Sequence, residues 1–193
     1  MSRIVVLSGS PRENGNTDRL VDAFVKGAGD RNTVEVISVH DSKVAPCKGC
    51  NACYFSDGNV CAQKDDMQII YGKLCRADVL IIASPVYFYG LSAQLKAVID
   101  RLHTPMRSRF AIRKLGLILV GAAELPEMFD SIITQYRLVL DFFHLDDAGD
   151  GSGLRSEGKR RSSRRRSGKI RAARAIDHID MTPKDDWRNN IGL

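Results

Sequence analysis

Three short, mainly apolar runs constrain the fold of this chain more than any other feature of its sequence. They span residues 4–7, 79–83 and 115–120 and are rich in Val, Ile and Leu. Their length is typical of strands, and strands without polar alternation are buried on both faces of a sheet. The sequence therefore predicts a parallel sheet that helices cover on both sides.

Stretches with a helical period separate these runs. The apolar positions Leu20, Phe24 and Ala28 predict the first helix. A further strand is predicted over residues 33–39, with Val34, Val36 and Ile37 facing inward. The other predicted helices begin at Asp65, where Gln68 has capping-box spacing, and span about residues 91–102 and 126–143. Strands that alternate with helices in this way predict an α/β fold with right-handed crossovers. Ligands bind such sheets at the carboxyl ends of the strands, here after residues 7, 83 and 120.

The pattern stops after Phe143. A fifth strand is due near residues 145–155, but the sequence there is LDDAGDGSGLR, which fits no strand template. We therefore expect one domain over residues 1–145 and a basic, irregular segment over residues 146–193.

The net charge of +6 is unevenly distributed. Residues 155–174 carry ten Lys/Arg and one Glu, whereas the rest of the chain carries 19 Lys/Arg and 22 Asp/Glu. The basic run could contact phosphates, but it holds no aromatic residue for base stacking, so nucleic acid is not an expected partner. A solvated tail and a change of reading frame in the gene are the alternatives for this run.

The location predicted for the chain is cytoplasmic. No apolar run approaches the ~20 residues that span a bilayer, and the N-terminus lacks a secretory pattern. No membrane partner is expected. Clustered cysteines in such a setting are metal ligands or redox groups more often than disulfides.

The loop after the first strand, residues 8–17, has the composition of an anion site. Its sequence SGSPRENGNT runs directly into a helix, whose N-terminus attracts negative charge. It is neither a Walker loop nor a G-x-G-x-x-G loop. A well-capped turn without a ligand is the alternative. The residues that we expect to bind a phosphate are Ser8, Ser10, Arg12, Gly15, Asn16 and Thr17.

A second loop, SPVYFYG at residues 84–90, follows the third predicted strand and leads into another helix. Together the two loops resemble those of the flavodoxin-like NAD(P)H-dependent FMN reductases, over about residues 1–142. The resemblance implies the strand order 2-1-3-4-5, with FMN between the first and third strands. It places the flavin ring on Pro85, Val86, Tyr87, Phe88 and Gly90. Gly121, after the fourth strand, is expected to close one side of the ring pocket.

The same resemblance implies an activity. Hydride would pass from NAD(P)H to FMN, and electrons would leave to a quinone, a flavin or a protein acceptor. No protein acid or base is required, and the four histidines fit no triad or metal spacing. The resemblance also implies a homo-oligomer, since the related reductases are often dimers or tetramers. The alternative is a flavodoxin-type electron carrier that does not oxidise a nicotinamide cofactor.

Four cysteines follow the pattern C-x2-C-x2-C-x7-C, namely Cys47, Cys50, Cys53 and Cys61. Thiolates at such short spacing suit iron–sulfur clusters or zinc. The motif resembles that of the iron–sulfur flavoproteins, a branch of the same family, which implies a 4Fe–4S cluster. Zinc and unligated redox thiols are the alternatives that the residues leave open.

Overall fold

The computed structural model describes residues 1–122 and 125–150. Strands and helices alternate along this part of the chain. The strands are β1 (Arg3–Ser8), β2 (Thr33–Ser38), β3 (Val79–Pro85), β4 (Lys114–Val120) and β5 (Asp146–Asp150). The helices are α1 (Asn16–Ala28), the single turn α2 (Ala52–Phe55), α3 (Met67–Leu74), α4 (Ala93–Leu102) and α5 (Asp130–Phe143). None of the helices in the described residues is long and apolar enough to cross a membrane.

The sheet has the order β2-β1-β3-β4-β5, and every neighbouring pair is parallel. This confirms the predicted α/β, flavodoxin-like architecture. The order reverses at β1 and β3: from β1 the chain crosses first to β2 on one side and then to β3 on the other. A crevice therefore opens at the carboxyl ends of β1 and β3.

Alternation along β1 divides the core into two layers. Val5 and Leu7 pack with α3, α4 and α5 on one face of the sheet, whereas Ile4 and Val6 pack with α1 on the other. The β1 side chains in both layers are almost completely buried. The strand that carries the first candidate loop is therefore held from both sides.

The fifth strand corrects the expectation that no strand follows Phe143. β5 pairs with β4 along the edge of the sheet, with a register irregularity between Leu115 and Leu117. Its sequence is polar because an edge strand needs few inward side chains: Ala148 is buried, and the Asp147 carboxylate accepts from the Gly149 N–H at 2.8 Å. The strand lies beyond the domain boundary predicted at residue 145. The basic run 155–174 lies outside the described residues.

The inward orientation predicted for Val36 is also wrong. Val36 is 42% exposed, whereas Ile37 is buried and Val34 is half-buried. β2 lies at an edge of the sheet, so one of its faces has less cover than a central strand receives.

Candidate functional site

Gly9, in the loop after β1, is hydrogen-bonded to one residue on each side of the loop after β3. The Gly9 N–H donates to the Ala83 carbonyl oxygen at 2.7 Å, and the Ser92 hydroxyl donates to the Gly9 carbonyl oxygen at 2.6 Å. A Cβ on Gly9 would lie 2.6 Å from Leu95 Cδ2. Only a glycine lets the backbone come this close to α4. The contact brings the two predicted loops together at the edge where the strand order reverses.

Internal hydrogen bonds shape the first loop. The Ser10 hydroxyl donates to the Arg12 carbonyl oxygen at 2.7 Å and accepts from the Arg12 N–H at 3.2 Å. The Asp18 carboxylate accepts from the Gly15 N–H at 3.0 Å and from the Ser8 hydroxyl at 3.4 Å. Ser8 and Ser10 are buried, while the Arg12 side chain is exposed. The backbone is thus held in place, and the guanidinium remains available to a ligand.

The N-terminus of α1 opens toward this loop. Its N-cap is Gly15, which has no side chain to accept from the N–H groups of the first turn, while the Asp18 carboxylate accepts from the Gly15 N–H itself. The first N–H groups of a helix lack intrahelical partners and carry the positive end of its dipole. Thr17 is buried and Asn16 is exposed in this first turn. The arrangement can accept an anion.

The second loop is a tight hairpin turn of aromatic residues. Tyr87 and Gly90 exchange two backbone hydrogen bonds, both of 3.0 Å. Phe88 and Tyr89 between them have φ angles of 47° and 63°. Bulky residues rarely adopt this left-handed conformation, for which such turns normally use Asn and Gly. Phe88 is 98% exposed. An energetically costly backbone therefore presents an aromatic side chain to solvent.

The other parts of this loop lie against β4 and α5. Pro85 is buried at the end of β3, and the Val86 N–H donates to the Val120 carbonyl oxygen at 2.7 Å. The Ser131 hydroxyl donates to the Tyr89 carbonyl oxygen. Gly121 is buried, and a Cβ there would lie 2.2 Å from the Met128 methyl group. The predicted third loop also includes residues 123 and 124, which lie outside the described residues.

The four cysteines lie on one loop between β2 and α3. Cys47 and Cys50 are exposed, and Cys53 and Cys61 are half-buried. Four thiols on one loop suit a thiolate-bound metal by their chemistry. Within residues 1–122 and 125–150, however, no three Cys, His, Asp or Glu side chains converge in a way that would hold a metal ion.

Asp65 and Asp66 tie the two ends of the cysteine loop together. The Asp65 carboxylate accepts from the Ala45 N–H at 3.0 Å, and the Asp66 carboxylate accepts from the Lys43 N–H at 2.7 Å. The predicted capping box does not form. α3 begins two residues later than predicted, at Met67, and Gln68 Nε2 is buried without a hydrogen-bond partner in the described part of the chain. The Asp65 side chain instead connects the end of the cysteine loop to its beginning at Ala45.

Arg101 is a residue that the sequence analysis missed. It lies on α4 and is only 3% exposed, yet it is charged. Its guanidinium donates to Asp65 Oδ2 at 2.5 Å and lies 3.3 Å from Cys61 Sγ. The sequence does contain a signal for its burial: Arg101 follows Val98 by three residues, which places it within the apolar stripe of the helix.

The electrostatics of this contact agree with its geometry. Burial lowers the pKa of Arg101, but hydrogen bonding and attraction to Asp65 and Cys61 outweigh it and raise that pKa above its ordinary value. Burial raises the pKa of Asp65, but hydrogen bonds from Arg101, Ala45 and Met67 bring it below its ordinary value. Both groups are therefore charged at neutral pH.

Comparison with known proteins identifies relatives of this arrangement. The family profile described as "NADPH-dependent FMN reductase" matches residues 2–146. An iron-sulfur flavoprotein of Methanosarcina thermophila is 39% identical over 119 residues, which cover 61% of each protein. Another, of Methanocaldococcus jannaschii, is 40% identical over 124 residues, which cover 63% of each. The match thus spans less than two thirds of the length of these relatives.

A solved structure supports the fold independently. The NAD(P)H:quinone oxidoreductase of Methanothermobacter marburgensis superposes with a TM-score of 0.62 at 17% sequence identity. The superposition covers 76% of this chain and 81% of that one. At this identity the likeness establishes the fold.

Proposed function

The chain belongs to the family of NADPH-dependent FMN reductases, and from this membership we propose that it binds FMN and passes electrons from a nicotinamide cofactor to a quinone, flavin or protein acceptor. One observation carries the proposal. Two loops of the type that binds a flavin phosphate and a flavin ring meet at the carboxyl ends of β1 and β3, where the strand order reverses.

The first loop fits the phosphate of FMN. Because the N-cap Gly15 has no side chain, the N–H groups of the first turn that follow it are available to a dianion. Thr17 and Asn16 stand in this turn, and the exposed Arg12 can pair with phosphate oxygens. Ser8 and Ser10 hold the loop through Asp18 and Arg12. Gly15 donates to Asp18, so its role is to shape the loop.

The second loop fits the flavin ring. Tyr87 and Phe88 are 42% and 98% exposed, and an aromatic ring system could cover this apolar surface. Pro85 and Val86 anchor the loop to the sheet, and Gly90 closes its turn. Gly121, with Met128 packed at its Cα, would border the ring on the side of β4.

The protein's part in the reaction is to bind and orient. Bound FMN supplies hydride acceptance and the release of electrons one or two at a time. The loops after β1 and β3 would hold the phosphate and the flavin ring. The described site requires no protein acid or base for these tasks.

We propose further that Cys47, Cys50, Cys53 and Cys61 bind a 4Fe–4S cluster. The thiolate set has the right chemistry, and two relatives that share about 40% identity with the chain are named iron-sulfur flavoproteins. Because the sulfurs do not converge in the structure, binding would require the loop to close around the metal. Anaerobic purification should yield about four irons per chain and broad visible absorbance beyond the flavin bands. Flavin bands without iron would contradict this part of the proposal.

The FMN site is tested by comparing FMN with riboflavin, which lacks the phosphate. Arg12→Met should weaken FMN binding about 10- to 150-fold, since a charged hydrogen bond contributes ~1.5–3 kcal/mol, and should leave riboflavin binding unchanged. Arg19→Met, on the exposed side of α1, is the matched control. Equal losses for both ligands would contradict the assignment of the phosphate.

The activity is tested separately with the FMN-loaded protein. Oxidation of NADH or NADPH should proceed with a quinone, a flavin or a redox-protein acceptor. FMN binding without any such oxidation would identify an electron carrier instead. Assembly as a homo-oligomer and a cytoplasmic location remain predictions.

A further inference from the structure

We infer that Arg101 is a positioning residue for the cysteine loop: it holds Cys61 in place and supplies a positive charge beside a thiolate-bound iron centre. The inference rests on the proposed iron–sulfur site. It adds to the four cysteines a residue from a helix of the FMN domain.

The contacts of Arg101 converge on both ends of the loop. Its Nη1 donates to Asp65 Oδ2 at 2.5 Å and to the Ala45 carbonyl oxygen at 3.1 Å. Its Nη2 lies 3.3 Å from Cys61 Sγ. Ala45 precedes the first cysteine and Cys61 is the last of the four. A single guanidinium therefore closes the loop that carries all of them.

The acceptor that faces Arg101 Nη2 is a cysteine sulfur. A buried guanidinium is costly unless strong acceptors satisfy its donors. The sulfur of a cysteine that binds no metal is a weak acceptor, so by itself it satisfies a buried guanidinium donor poorly. A sulfur that binds metal as a thiolate is a far better acceptor, because charge strengthens the hydrogen bond. The contact between Arg101 and Cys61 therefore becomes favourable when the cysteines bind a metal.

One donor of Arg101 has no acceptor among the described residues. Its Nε is buried and has no hydrogen-bond partner among the described residues. Buried polar groups are rarely left unpaired. Among the described residues Asp65 is the carboxylate that Arg101 pairs with, and it already accepts from two backbone N–H groups. Arg101 thus has a spare buried donor in addition to the Nη2 that faces Cys61.

The position of Arg101 also connects the two candidate sites. Ser92, which caps the start of α4, donates to the Gly9 carbonyl oxygen at the β1 loop. Arg101 stands near the end of the same helix, about 14 Å along its axis. The carbonyl oxygen of Arg101 accepts from the Tyr71 hydroxyl at 2.7 Å, which fixes this end of α4 against α3.

Two variants of the full chain separate charge from anchoring. Arg101→Lys keeps the charge and loses the planar fork, while Arg101→Met loses both. Both should bind iron about tenfold or more weakly than the wild type, as is usual when a hydrogen bond to a metal ligand is lost. Among molecules that do hold a cluster, Arg101→Met should have a lower midpoint potential, because a positive charge favours the reduced form. Arg101→Lys should stay closer to the wild type.

The controls address folding. Lys96→Met removes an exposed cation from the same helix and should change neither readout. FMN content and the thermal midpoint report whether each variant folds. Should Arg101→Met fail to fold, the double variant Arg101→Met with Asp65→Asn removes both charges together and is measured in its place.

Cobalt(II), followed by its thiolate absorption, separates failure of this inference from failure of the proposed cluster. Wild-type protein that binds cobalt through its thiols but forms no iron cluster would refute the cluster, and a tenfold weaker cobalt affinity in Arg101→Lys would still support the role of Arg101. Unchanged metal affinity and midpoint potential in both Arg101 variants would overturn it. If Arg101→Met has a lower iron content but an unchanged midpoint potential, Arg101 is only a structural anchor, and the inference is overturned. Wild-type protein that binds neither iron nor cobalt would overturn the inference as well.

Discussion

Replacing Gly9 by alanine perturbs the contact on which the proposed FMN site is built. The added Cβ would lie 2.6 Å from Leu95 Cδ2, 2.9 Å from Leu95 Cβ and 3.1 Å from the Ala83 carbonyl oxygen. Leu95 is fully buried on α4, and Ala83 belongs to the central strand β3. Neither neighbour can move freely, so the β1 loop itself must shift.

The expected magnitude follows from overpacking. An extra methyl group in a well-packed core costs about 1–3 kcal/mol of unfolding free energy. For a chain of this size, each kcal/mol lowers the thermal midpoint by about 2–4 °C. A displaced loop would also misplace the phosphate ligands, and we expect FMN to bind about tenfold more weakly, which corresponds to ~1.4 kcal/mol.

Urea unfolding and flavin titration measure the two effects, and Gly72→Ala is the matched control. Gly72 is exposed within α3, and a Cβ there would meet nothing within 4 Å. The same substitution should stabilise the protein at that position by about 0.5–1 kcal/mol, because alanine favours helix. A Gly9→Ala protein with the stability and FMN affinity of the wild type would refute the close approach of the β1 loop to α4.

Three further predictions concern other parts of the chain. Replacing Phe88 by Asn and Tyr89 by Gly should raise the unfolding free energy by about 1 kcal/mol or more, because it relieves two left-handed residues, and should weaken FMN binding, as urea unfolding and flavin titration would show. Asp65→Asn should make protein stability depend less steeply on pH in the acid range. In the folded state, hydrogen bonds from Arg101 and two backbone donors outweigh burial and lower the pKa of Asp65. The contribution of Asp65 to the unfolding free energy is therefore full above its unfolded pKa of about 3.9 and disappears as the pH falls through the lower folded value. Denaturation across the acid range measures this. Deletion of residues 155–193 should leave FMN affinity unchanged in a flavin titration, since the binding loops follow β1 and β3.

Each of these predictions has its own control or contrary result. Phe55→Asn removes an exposed aromatic that is not left-handed, so it should not stabilise the fold. Asp22→Asn, on the exposed side of α1, should leave the acid limb as steep as in the wild type. A truncated chain with tenfold weaker FMN binding would show that the C-terminal segment contributes to the site.

The central strands could be predicted because their signal is local and strong. Strands that are buried on both faces are mainly apolar, as β3 is over residues 79–83, and a short apolar run of that length is typical of them. The loop SGSPRENGNT was also recognisable, since its glycine and hydroxyl residues stand next to each other in the chain. The resemblance to the family depends on this loop together with the second loop, SPVYFYG.

The edges of the sheet could not be predicted in the same way. β5 has almost no apolar pattern, because it is held by backbone pairing with β4 and by the contacts of Asp147. Val36 belongs to a strand pattern but is exposed at the opposite edge. Edge strands depend on a neighbour that is distant in sequence, and periodicity contains no information about that neighbour.

The amino-acid sequence by itself determined the parallel α/β fold, the order of its central elements and the two loops that face the crevice, because each depends on residues that are adjacent in the chain. Only the tertiary structure decided that Gly9 must lack a side chain and that Arg101 contacts Cys61. Those contacts join residues 86 and 40 positions apart in sequence, Leu95 to Gly9 and Arg101 to Cys61. A buried charge or a missing Cβ acquires its meaning from the atoms that the fold brings against it.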